Sequence, residues 1–122
     1  MQYLLLIHVD EKRWPALTGT EQLSEIKEYS AFGREFGKSI ITSDALQSKA
    51  PAKIVRVREG RPLITDGPFS ETKEQVAGFY VVEAADENEV MAMAARIPWA
   101  RHGAVEVRPV LRFTQNGNIK TG

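Results

Sequence analysis

Cysteine is absent from this chain of 122 residues. That excludes a disulfide framework, a thiolate nucleophile and a Cys-ligated zinc site, and it points to a reducing compartment, with the cytoplasm as the expected location. Net charge is missing too, because 16 Lys and Arg balance 16 Asp and Glu. No overall field draws the chain to nucleic acid or to an anionic membrane surface, so neither is expected as a partner. Histidine is scarce, at two residues with no helical pairing, so no metal and no cofactor is expected. Long apolar runs are lacking as well. The longest, residues 3–7, is far short of the roughly 20 residues of a membrane span, and no basic stretch precedes it as in a signal peptide.

What is present suits one globular domain. Apolar residues make up 43% and charged residues 26%, a balance that can bury a core without metal or disulfide staples. Residues 3–9 read as a buried central strand. Thr18 and Glu21 have the spacing of a capping box and open a helix that ends at Gly37. Its pattern puts Leu23, Ile26, Gly33 and Phe36 near the buried face and leaves Glu21, Glu25, Lys27, Glu28 and Arg34 to solvent. Residues 40–46 read as a strand. Residues 53–58 and 62–65 read as an inserted hairpin turning at Glu59 and Gly60, an edge with one wet face. Residues 76–83 are a strand apolar on both faces. Asp86 and Glu89 start a second helix, stopped by Pro98, and residues 103–110 form a last strand. The expected domain spans 1–113, followed by a polar, flexible tail over 114–122.

With the hairpin set aside, the order is strand, helix, strand, strand, helix, strand, which gives an α+β, ferredoxin-like βαββαβ fold. Right-handed crossovers place both helices on one face of the sheet. The opposite face is then bare, yet residues 3–7 and 79–82 are apolar at both parities, so a second copy of the chain is expected to cover it.

The segment ITDGPFSETKEQVAG, residues 64–78, together with MQYLLLIHVDE, GFYVVEA and IPWARHGAVEVRPV, resembles the DGPF branch of the YCII-related family. The resemblance covers most of the chain. It implies a homodimer in which two ferredoxin-like sheets pack face to face as a dimeric α+β barrel. It also implies kinship with small-molecule lyases and dehalogenases, and with proteins encoded beside alternative sigma factors. The enzyme-like relatives carry a histidine in the first helix and an aspartate before the proline that follows the second. Here the first helix has no histidine and Ile97 precedes Pro98, so that acid/base pair is missing.

Candidate chemistry centres on the DGPF loop. Asp66 offers a carboxylate that can act in catalysis or close an Asx turn, and Gly67, Pro68 and Phe69 follow it with Glu71 and Lys73 as further ligand-binding candidates. Lys73 can hold an anionic ligand, and Arg108 on the last strand completes the set. His8, with Asp10 two residues on, can serve as a general base, or as a buried histidine bonded to backbone. Ser70 and Lys73 match an S-x-x-K spacing without its partner motifs. The strand GFYV looks like an RNA-binding signature, but Ala77 stands where a basic residue is needed. Two functions are expected: a pocket at the DGPF loop for a small, anionic metabolite, with lyase- or isomerase-like acid–base chemistry, or a non-catalytic regulatory or interaction module associated with an alternative sigma factor.

Overall fold

The computed structural model describes residues 1–114, 116, 117, 119 and 120. The chain runs β1 (Gln2–Asp10), α1 (Arg13–Ala16), α2 (Gly19–Phe36), β2 (Ile40–Ala45), β3 (Lys53–Arg58), β4 (Arg61–Asp66), β5 (Glu74–Glu83) and α3 (Glu87–Ala95). A 3₁₀ turn (Pro98–Arg101), β6 (Ala104–Pro109) and a short pair, β7 (Arg112–Phe113) and β8 (Ile119–Lys120), complete it. The four-stranded sheet has the order β2-β5-β1-β6, antiparallel throughout, which is the split βαβ order expected for a ferredoxin-like α+β fold.

Alternation along β1 sets the architecture. Tyr3, Leu5, Ile7 and Val9 are buried beneath the helices, with Val82 and Ala84 at the end of β5, Phe32 of α2, and Val90, Met93 and Ala94 of α3. Gln2, Leu4, Leu6, His8 and Asp10 point to the other face and are only half-buried. The capping signals work as expected. Thr18 accepts from the Glu21 backbone while the Glu21 side chain accepts from Thr18 N, and Asp86 accepts from Glu89 N. Gly103, just before β6, passes so close to β1 that a Cβ there would lie 2.0 Å from the His8 carbonyl oxygen.

Two expectations are corrected. The buried face of α2 is not the one the aliphatic residues suggested: Leu23 and Ile26 are half exposed, whereas Glu25 is 8% exposed and Phe32 is buried, with Tyr29 and Phe36 packed on the core. The helix is turned because Glu25 finds cationic and indole donors inside and Tyr29, Phe32 and Phe36 bring larger apolar surfaces to the sheet. The hairpin, in turn, is not an edge of the main sheet. β3 and β4 form their own two-stranded ribbon, turning at Glu59 and Gly60, both with positive φ as a two-residue hairpin turn requires. Val55, Val57, Ile64 and Pro62 share one exposed side of this arm by register.

The polar tail expected over 114–122 lies partly outside the described residues, at 115, 118, 121 and 122. Among the described residues, no helix is long and apolar enough to cross a membrane.

Candidate functional site

Between α2 and the helix-side face of the sheet the chain leaves a cleft of ≈ 870 Å³, a volume typical of small-molecule sites. Ile7 and Val9 of β1 and Ala77 and Tyr80 of β5 line the sheet side, and Ile26 and Tyr29 line the helix side. The end of β1 and the residues following β1 and β2 border it, among them Asp10, Glu11, Trp14 and Leu46. The Glu11 carboxylate bridges these two segments by accepting from Lys49 N at 2.6 Å.

Glu25 organises the aromatic end. Its Oε1 accepts from Arg13 Nη1 at 3.0 Å and from Trp99 Nε1 at 2.8 Å, and its Oε2 accepts from Arg13 Nη2. The Arg13 guanidinium holds the Glu25 carboxyl below the usual carboxylate range, against the opposing effect of burial and with help from the indole N–H. With both oxygens engaged and the charge stabilised, Glu25 is a clamp rather than a proton-transfer base. It draws α1 and the 3₁₀ turn onto α2, and Gln22 Nε2 adds a bond to the Trp14 carbonyl at 2.9 Å. Trp14 and Trp99 thereby meet at 5.6 Å between ring centroids, and Tyr29 meets Trp99 edge-on at 5.6 Å.

Tyr29 carries the polar atom left over. Its hydroxyl is buried and makes no hydrogen bond among the described residues. The Trp99 backbone lies near enough to temper the effect of burial, yet short of hydrogen-bond geometry, and burial pushes the phenol above its ordinary range. Tyr29 therefore stays protonated at neutral pH.

The catalytic and ligand-binding candidates named from the sequence fall into two groups outside the cleft's lining, although Asp10, the expected partner of His8, belongs to it. At the DGPF loop, Asp66 is exposed and pairs with Lys53 across the base of the arm, which lowers its pKa. The Gly67–Pro68 peptide is cis, and Gly67 N donates to Ala52 O at 2.8 Å. Phe69 is 82% exposed, with the Arg56 guanidinium 5.7 Å above its ring. Glu71 is exposed, and Lys73 reaches the cleft's rim through Asp10 at 3.7 Å. Buried Gln75, which the sequence did not mark, braces this loop by donating to the Ser70 and Thr72 carbonyls.

His8 and Arg108 lie together on the helix-free face, joined by Glu106. The carboxylate partner of His8 is Glu106, 3.0 Å away, and not Asp10 as its spacing suggested, because Asp10 turns back to accept from Lys12 N and to meet Lys73. Arg108 stands 3.9 Å from the same Glu106 carboxylate.

The cleft residues Arg13, Trp14, Glu25, Tyr29 and Trp99 were missed. The available signals were the two tryptophans, each beside a proline, and the helical spacing of 25, 29, 32 and 36.

Comparison with known proteins agrees with this architecture. Residues 1–114 match the YCII-related domain. An uncharacterized protein of Rhizobium meliloti (strain 1021) is 32% identical over 118 residues, covering 93% of this chain and 94% of that one. Among solved structures, 5-chloro-2-hydroxyhydroquinone dehydrochlorinase of Burkholderia phenoliruptrix AC1100, in complex with 2,5-dihydroxybenzoquinone, superposes with a TM-score of 0.51 at 14% identity. That match covers 97% of this chain and all of the other, and it shows a shared fold.

Proposed function

Since the chain belongs to the YCII-related family, we propose that it binds a small organic molecule in the cleft between α2 and the sheet, and that it does so as a homodimer. The observation that carries this reading is the cleft itself, ≈ 870 Å³ with Trp14, Trp99, Tyr29 and Tyr80 in its lining. Lyase- or isomerase-like acid–base chemistry is the enzymatic form of the proposal. The dehydrochlorinase neighbour and its quinone support a ring-bearing ligand. In this reading the chain is of the family's DGPF branch, and the DGPF loop takes part from the rim, where Lys73 meets Asp10. Two sheets meeting through their helix-free faces would form the α+β barrel, in the cytoplasm.

Both tryptophans of the chain line the cleft, so intrinsic emission reports on this site alone. A metabolite that raises the melting temperature is expected to change Trp emission saturably over the same concentration range. Stabilising metabolites that leave the emission untouched would place the ligand elsewhere.

A second reading, a regulatory or interaction module that works with an alternative sigma factor, is favoured by the arm, whose Val55, Val57 and Ile64 are exposed together. In that case Val57→Glu should abolish retention of a partner and leave ligand-induced emission changes intact.

A further inference from the structure

The charges of the cleft are paired, tied to backbone or turned away from it. Arg13 is the one basic residue among the described lining residues, and its guanidinium is taken up by both oxygens of Glu25. Asp10 and Asp44 belong to the lining, but strand parity turns their side chains to the helix-free face, where Asp10 follows His8 in alternation and Asp44 stands opposite Phe79. Glu11 lies at the border, where its carboxylate accepts from Lys49 N at 2.6 Å. Lys73, which the sequence suggested for an anion, is 84% exposed and pairs with Asp10. An ion that enters between α2 and the sheet therefore gives up water without gaining an opposite charge, whereas an uncharged ring loses little.

Hydroxyl groups are what this interior offers. Tyr80 stands on the helix side of β5, opposite buried Leu5, with its ring edge-on to Phe32 at 5.1 Å between centroids. Its hydroxyl makes no hydrogen bond among the described residues, and unlike that of Tyr29 it is not fully buried. Burial of the ring raises the phenol above its ordinary range, so at neutral pH the group stays protonated and can both donate and accept. Ser43 of β2 pairs with Tyr80 in register, on the same face, and brings a second hydroxyl to the lining.

Resting on the proposal that the cleft is a small-molecule site, we infer that its ligand is an uncharged ring compound whose hydroxyl or carbonyl group is hydrogen-bonded by the Tyr80 hydroxyl. The rings of Trp14, Trp99 and Tyr29 supply apolar walls for the body of such a molecule, and Tyr80 orients its polar end.

The test titrates four probes of nearly the same shape against the full chain at pH 7, with Trp emission as the readout: 2-phenylethanol, ethylbenzene, phenethylamine and 3-phenylpropionate. The alcohol is expected to bind about tenfold more tightly than either ion, because each ion is desolvated without a partner. In Tyr80→Phe, which keeps the ring, the alcohol should lose about fivefold in affinity, as for one hydrogen bond, while ethylbenzene binds as before. An ion that binds as tightly as the alcohol overturns the uncharged class and leaves the cleft reading standing. Tyr80→Phe binding that is unchanged for the alcohol, or weakened equally for ethylbenzene, overturns Tyr80 as the bonding group. Silence from all four at millimolar concentration overturns the inference and the cleft reading together.

Discussion

Glu25 joins segments that are far apart in the chain, and its ionisation makes the cleft's assembly depend on pH. Arg13 depresses its folded-state pKa, so near and below the ordinary glutamate value of 4.5 the folded protein binds fewer protons than the unfolded chain. The pair's stabilisation is therefore present above that value and is lost as pH falls through the depressed one. Glu25→Gln should lower stability by about 2 kcal/mol at pH 7, as expected for a charge-assisted pair only partly open to solvent. As pH falls below 4.5 the difference between the parent and the variant should narrow in urea denaturation. A difference that does not shrink on acidification would mean that Glu25 acts through packing alone. Tyr29→Phe acts on stability in the opposite sense. It removes an unpaired hydroxyl without changing the ring, so the melting temperature should hold or rise. A large drop in melting temperature would show that the hydroxyl is bonded within the fold. The sequence did not expose these roles, because a glutamate in a helix reads as solvated unless its distant partners are known. Arg13 is 12 residues from Glu25 and Trp99 is 74 residues away.

Elements were legible wherever local chemistry decides them. The capping signals at Thr18 and Asp86, the Glu59-Gly60 turn and the alternating β1 all depend on residues within a few positions of one another. α1 was not legible. Its four residues hold Trp14 and Pro15, which read as a loop, and it is fixed by contacts from α2 that only the tertiary structure supplies. The arm was legible as a hairpin but not as a separate ribbon, since pairing between two strands is local and pairing with the main sheet is not. The approach of β6 to β1 was equally invisible. Gly103→Ala should cost about 2 kcal/mol or more, because a Cβ at 2.0 Å from the His8 oxygen forces the backbone to shift. A variant that melts with the parent would mean that this junction yields freely.

The fold leaves one face of the sheet without helices, and that face is apolar at its centre. Leu4 pairs with Val81 and Leu6 with Phe79 in register, all four half-buried and pointing away from α2 and α3. Strand parity, together with right-handed crossovers that put both helices on one face, is why a second copy was expected from the sequence. If a dimer covers this face, Val81→Asp buries an unpaired carboxylate and should yield aggregated or unfolded protein in light scattering, where the parent runs as a dimer. A parent that is a stable monomer at micromolar concentration would remove the dimer. Whether the ligand enters the cleft or the DGPF loop can be read in one titration, following the two indole N–H resonances alongside the backbone amides of residues 66–73 by NMR. With a stabilising ligand, the Trp14 and Trp99 indole signals should shift, Trp99 the more clearly because its N–H is bonded to Glu25, while the amides of Gly67 and Phe69 stay in place. Shifts confined to the amides of residues 66–73, with both indoles unmoved, would contradict the cleft as the binding site.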